Sequence, residues 1–274
     1  MFSHPWIVKT VLRYTLKTLQ PDGRVPYGIV GHGTLQPTRQ LNSSYESWVL
    51  WLTSEYVLGT RDTALLDETL PTYPLYPSYS PYYGPTAGKD KVRHLVARCY
   101  RHLVESTGTG EHGLIRLLNC DWDDGLQVWH RRVPMYGLGE VVPGAESVLD
   151  TAQACYCFDH YARMLRYIGD EDSAADVHRR ANGLRRAVRA QWTGRWFRRA
   201  WLPKASWVGD KHMLLNPQAW AIVGGAATSE QTQVLVRTLN DLLRRPSPIG
   251  AMGAARGAPV GICGGSDGGV WSSL

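Results

Sequence analysis

Phenylalanine is scarce in this chain, with 3 Phe beside 11 Trp and 14 Tyr in 274 residues. The aromatic character therefore comes almost entirely from rings that carry a polar tip. Such rings suit a wet cleft that stacks sugars or nucleobases as well as they suit a large core. No apolar run reaches the roughly 18 residues of a membrane-crossing helix, so no membrane partner is expected. The opening "MFSHPWIVKT" lacks the basic start and apolar stretch of a secretory signal. Cysteine is sparse and odd in number: Cys99, Cys120, Cys155, Cys157 and Cys263 do not form a disulfide framework. Cys155 and Cys157 stand two apart on a predicted helix and point to different sides, and the histidines show no ligand spacing. No metal is expected, and a reducing, cytoplasmic setting is the default.

A basic run that alternates with stacking aromatics is also missing. The net charge is +6 and the pI about 9.1. The arginines, however, are dispersed or helical, as in "VHRRANGLRRAVRAQW" (177–192), where a solvated helix face accounts for them. No nucleic-acid partner is expected.

What the chain has in quantity is helical periodicity. Val8, Leu12, Leu16 and Leu19 make one stripe, and Leu95, Val96, Cys99, Tyr100, Leu103 and Val104 make a second. A third runs from Val148 through Ala152 and Cys155 to Leu165, and a fourth from Ala174 through Val177, Ala181, Leu184 and Val188 to Trp192. Residues 43–58, 217–224 and 229–244 also read as helices, the last stopped by "RRPSP". "GRWFRRAWL" (194–202) reads as a hairpin between helices.

The connections at 22–42, 71–85, 108–142 and 246–271 are long and rich in Gly and Pro. In "PTYPLYPSYSPYYGP" (71–85) the interleaved tyrosines argue for a packed loop over a site, because disordered linkers are poor in aromatics. Helices alternating with such loops describe helical hairpins whose loops gather at one end. With no break in composition, residues 1–274 read as a single domain. An odd number of helices and an ending in "GGSDGGVWSSL", without a cap or a polar tail, read as a truncated array.

One short segment concentrates charge. In "NCDWDDGL" (119–126), Asp121, Asp123 and Asp124 crowd around Trp122. Cleavage of a glycosidic bond needs a carboxylic acid that stays protonated until it donates to the leaving oxygen. Neighbouring carboxylates and an indole wall both raise a carboxyl pKa. A calcium loop would spread its oxygen ligands over a longer span. Helix capping would use one aspartate rather than three.

"HGLIRLLNCDWDDGL" (112–126) followed by "GAESVLDTAQA" (144–154) resembles glycoside hydrolase family 94, inverting phosphorylases of beta-linked disaccharides and oligosaccharides. The likeness continues in "SYESWVLWLTSEYVLGTRDTALLDETLP" (44–71), "NPQAWAIVGGAA" (216–227) and "SDGGVW" (266–271), in the family's order and along nearly the whole chain. It implies an all-α (α/α)6 barrel with its site in the loops at one end. This chain would begin inside the barrel and stop before its last helices.

Carried over residue by residue, the resemblance makes Asp124 the general acid and Trp122 the indole lining a sugar subsite. Asp121 matches the first aspartate of the motif, and Asp123 stands where the family has asparagine. Both are assigned to substrate binding. Glu146 matches the glutamate that opens the next helix and reads as structural, near a first turn where negative charge is favoured. In "TRQLNSSYESW" (38–48), Arg39 matches a sugar-binding arginine. Ser44 and Tyr45 replace the family's paired aspartates, and Glu46 substitutes after a one-residue shift. Ser273 falls where the family has a phosphate-binding histidine; a hydroxyl can hydrogen-bond phosphate but brings no positive charge.

The expected reaction is phosphorolysis of a beta-glycosidic bond to an alpha-sugar 1-phosphate. Inorganic phosphate is then the co-substrate, no cofactor takes part, and the partner is a disaccharide or oligosaccharide. The resemblance also allows a homodimer. Two other readings stand beside this one. An inverting hydrolase would need a second carboxylate about 6.5–9.5 Å from the acid, with Glu46 as candidate. An inactive barrel fragment would at most bind sugar and would expose apolar helix faces.

Overall fold

The computed structural model describes residues 3–26, 29–30, 34–35, 41–73, 88–121, 141–203, 206–242, 244–247 and 250–253. Its regular structure is mainly helical. In chain order the α-helices are α1 (Pro5–Lys17), α2 (Tyr45–Thr60), α3 (Val92–Arg101), α4 (Val148–Tyr167), α5 (Glu171–Arg189), α6 (Leu215–Val223) and α7 (Ser229–Leu242). α3 runs on through a π-helical turn at His102–Thr107, and a 3-10 turn at Thr63–Asp67 follows α2.

Two kinds of helix alternate, and their sequences say why. α5 is amphipathic: Ala174, Val177, Ala181, Leu184 and Val188 are buried, while Arg179, Arg180 and Arg186 lie toward solvent. α2 and α4 are instead buried on more than one side. α2 hides Glu46, Ser47, Thr53 and Ser54 along with Val49, Leu50 and Val57. α4 hides Asp150, Thr151 and Gln153 along with Val148, Leu149 and Phe158. A helix that is buried all round belongs to an inner layer, an amphipathic one to an outer layer. α4 packs against α2, α5 and α6 together. This layering is that of the all-α, (α/α)-barrel class.

The main core joins Leu12, Leu16, Leu50, Val57, Leu95, Cys99 and Phe158, drawn from four helices. A second gathers Leu114, Val148, Val188, Phe197, Ala221 and Leu235. Truncating a side chain such as Leu50, which is fully buried, removes about 2–5 kcal/mol through lost transfer energy and the cavity left behind. Trp48, Trp51, Tyr156 and Trp220 contact one another across α2, α4 and α6, at ring-centre distances from 5.5 to 6.5 Å. These half-buried rings therefore serve helix packing.

Short strands tie the loops. β1 (Ile29–Val30) pairs with β2 (Thr34–Leu35), and β3 (Thr69–Thr72) with β4 (Gly88–Lys91). The Tyr- and Pro-rich segment leaves from β3 and returns by β4; its residues 74–87 lie outside the described residues. A four-stranded antiparallel sheet runs in the order β5 (Ile115–Arg116), β6 (Glu146–Ser147), β7 (Ala200–Leu202) and β8 (Ser206–Val208). A last pair joins β9 (Arg244–Ser247) and β10 (Gly250–Gly253).

The hairpin expected within 194–202 sits further along. Ala200 pairs with Val208 and Leu202 with Ser206, while Trp192 and Phe197 make only an isolated bridge. Cys99, Cys120, Cys155 and Cys157 are buried free thiols, and Cys263 lies outside the described residues. Among the described residues, no helix is long and apolar enough to cross a membrane.

Candidate functional site

Residues 41–43 and 119–121, the described ends of the two segments singled out in the sequence, meet at the first turns of α2 and α4. Cys120 and Asn42 form a parallel bridge. Beside it, Leu41 N–H donates to Asn119 Oδ1 at 2.6 Å and Ser43 N–H to Cys120 O at 3.4 Å. The entry to the Asp segment is held as well. Leu117 N–H donates to Ala145 O at 2.9 Å, and Val142 N–H to Leu118 O at 3.1 Å. Leu118 has φ of 57°, in the left-handed region that a branched side chain seldom adopts.

Asp121 lies at the centre of this joint, with no solvent exposure. Both of its carboxylate oxygens receive Arg199: Nη1 donates to Oδ2 and Nη2 to Oδ1, each at 2.7 Å. Ser147 Oγ donates to the same Oδ2 at 3.0 Å and accepts from Asp150 N–H at 3.0 Å, capping α4. Asp150 in turn accepts from the Ser43 hydroxyl, and its Oδ1 is buried without a partner. Burial raises the Asp150 carboxyl well above the usual carboxylate range, and the nearby Asp121 and Glu46 charges push the same way. The Ser43 hydrogen bond and the Arg199 charge oppose that rise.

Glu46, in the first turn of α2, is also fully buried. Its Oε1 accepts from Val25 N–H at 2.9 Å, and its Oε2 has no partner. His102 Nδ1 lies 3.2 Å from Oε1, close enough for a charge contact but not aligned for a hydrogen bond.

Glu146 stands on β6, two residues before α4 begins, rather than in the helix turn where the sequence places it. It is caged rather than exposed. His112 N–H lies 3.1 and 3.2 Å from its two oxygens, Leu114 N–H donates at 3.0 Å, and His112 Nδ1 lies 2.7 Å away. The His112 ring touches Trp201 and Trp207, with centroids 4.9 and 4.8 Å apart. This charge braces the sheet, in keeping with the structural reading.

Of the residues expected to make the site, Asp121 and Glu46 are thus buried in polar contacts near the inner-helix N-termini. Arg39, Trp122, Asp123, Asp124 and Ser273 lie outside the described residues. Sequence reasoning passed over Arg199, Ser147, Asp150 and Ser43. Ser147 and Asp150 could have been found, since "SVLD" places an N-cap serine three residues before an acidic side chain. Arg199 gave no such signal. It is one of three arginines in "GRWFRRAWL", and its neighbour Arg198 instead pairs with Asp210 and covers the Trp207 ring.

The fold and this joint define an all-α barrel domain that fastens the start of its acidic segment to the first turns of two inner helices. The chain belongs to the glycosyl hydrolase 94 superfamily, catalytic domain, which it matches over residues 7–253. Solabiose phosphorylase of Paenibacillus borealis is 27% identical over 249 residues, covering 88% of this chain and 29% of the relative. Cellobionic acid phosphorylase of Neurospora crassa is 26% identical over 263 residues, covering 92% and 30%. A 3-O-beta-D-glucopyranosyl-beta-D-glucuronide phosphorylase of Paenibacillus borealis is 27% identical over 157 residues, covering 53% and 19%. The chain therefore spans under a third of the length of these relatives.

Proposed function

We propose that this chain carries the acid-bearing part of an inverting glycoside phosphorylase. The observation that supports it most is the joint that binds Asn42 to Cys120 and Leu41 to Asn119. It draws the segment that holds Arg39 against the segment that leads into Trp122 and Asp124. Arg39 precedes Leu41 by two residues in sequence and Asp124 follows Asp121 by three, which suits roles at one glycosidic bond.

In this mechanism Asp124 donates its proton to the leaving glycosidic oxygen as the bond to the anomeric carbon breaks. Phosphate oxygen forms the new bond from the opposite face, inverting the centre and giving an alpha-sugar 1-phosphate. The attacking oxygen is already anionic, so no protein base is required. Trp122 and Asp123 line the sugar subsite with Arg39, and Ser273 hydrogen-bonds phosphate. No cofactor takes part.

The test is product analysis on beta-linked disaccharides with and without phosphate, beside Asp124→Asn. The panel includes solabiose, cellobionic acid and the glucosyl-glucuronide for which the relatives are named. The expected product is a sugar 1-phosphate, formed only with phosphate and lost in the variant. Free sugar formed regardless of phosphate would replace this reading with a hydrolase.

A further inference from the structure

Asp121 and Arg199 form an anchored joint. The guanidinium is 1% exposed and the carboxylate not at all. The backbone of Arg199 is pinned on both sides: its N–H donates to Val208 O at 2.8 Å, and its carbonyl accepts from Val148 N–H at 3.1 Å. Gly209 completes the seat. Its φ is +83°, and a Cβ there would lie 2.9 Å from Arg199 N, so the end of β8 closes on Arg199 only without a side chain. Arg199 is thus held by the sheet and by the start of α4 together.

We propose that Arg199 is a positioning residue for the acid-bearing segment. Its fork fixes the Asp121 carboxylate, and with it the point from which the chain runs on to Trp122 and Asp124. The inference rests on the reading of Asp124 as the acid. Proton transfer demands a donor within hydrogen-bond reach of the leaving oxygen, and small displacements there are costly. Asp124 is three residues beyond Asp121 in sequence, and a carboxylate free to rotate would no longer tie down the residue from which the segment begins. A planar guanidinium grips both oxygens and prevents that rotation, whereas an ammonium is a single point charge. Ser147 reaches only Oδ2 and cannot replace the fork.

The test compares wild type, Arg199→Lys and the uncharged double variant Asp121→Asn/Arg199→Gln, with folding followed by thermal melts. Each is given phosphate with a cleavable beta-disaccharide, and separately with the beta-glycosyl fluoride of the same sugar, whose leaving group needs no proton. For Arg199→Lys the expected result is a kcat on the disaccharide about 10–100-fold lower, with KM little changed and turnover of the fluoride kept. A folded Arg199→Lys with unchanged disaccharide kcat overturns the proposal, as does equal loss on both substrates. Should Arg199→Lys fail to fold, the double variant, which buries no charge, is held to the same criteria. If neither folds, the pair is a folding element and the proposal fails. Asp124→Asn separates the two ideas. If it cleaves the disaccharide normally, the acid reading falls; if it is inactive while Arg199→Lys is unimpaired, only the positioning idea falls.

Discussion

The backbone N–H of Leu41 donates to the side chain of Asn119 at 2.6 Å, across 78 residues of chain. Asn119 is almost fully buried and Leu41 partly so, which shields this bond on one side. Asn119→Ala would leave a part-buried N–H without its acceptor, at a cost of about 1 kcal/mol. The melting temperature is expected to fall by about 2–4 °C for each kcal/mol lost. An unchanged melt would mean that the two segments do not depend on this bond.

Gly110 lies against the caged Glu146. A Cβ at residue 110 would sit 2.4 Å from Glu146 Cδ, and the three groups that hold the carboxylate leave it nowhere to go. Gly110→Ala is expected to destabilise by about 1–3 kcal/mol through overpacking. Urea unfolding measures it. A midpoint equal to wild type would show that Glu146 can swing aside and does not brace the sheet.

Asp150 gives stability a particular dependence on pH. Its folded-state pKa lies well above its unfolded value of about 3.9, chiefly through burial and then through Asp121. The folded protein thus keeps a proton that the unfolded chain has released. Stability from this group is full below about pH 4 and is lost as pH rises toward the folded pKa, by up to about 1.4 kcal/mol per pH unit. Asp150→Asn mimics the protonated acid and removes that slope. Urea midpoints for both proteins between about pH 4 and 7 should therefore show the variant gaining on wild type as pH rises. Parallel curves would contradict this account of Asp150.

Helix positions were legible because burial follows the 3.6-residue period. The stripe Ala174, Val177, Ala181, Leu184 and Val188 is the buried face of α5. α2 and α4 were harder to assign to a layer, since their inner faces carry Glu46, Ser47, Asp150 and Gln153, which read as surface residues. Only a barrel that encloses polar groups gives these positions a reason. The acidic segment stood out by its charge density. Arg199, which grips Asp121, did not, because a contact 78 residues away leaves no local pattern. The hairpin near residue 200 was displaced for a similar reason: its register follows from pairing with β6, which its own residues do not encode.

In the proposed mechanism Asp124 supplies the proton for glycosidic cleavage. Asp124→Asn decides this on two substrates of one sugar, a beta-linked disaccharide and the beta-glycosyl fluoride, each with phosphate. Loss of an acid predicts a fall of about 10²–10⁴-fold in disaccharide turnover, with the fluoride, which departs unprotonated, still converted to the alpha-sugar 1-phosphate. Equal loss on both substrates, or a disaccharide rate that does not change, would exclude Asp124 as the proton donor.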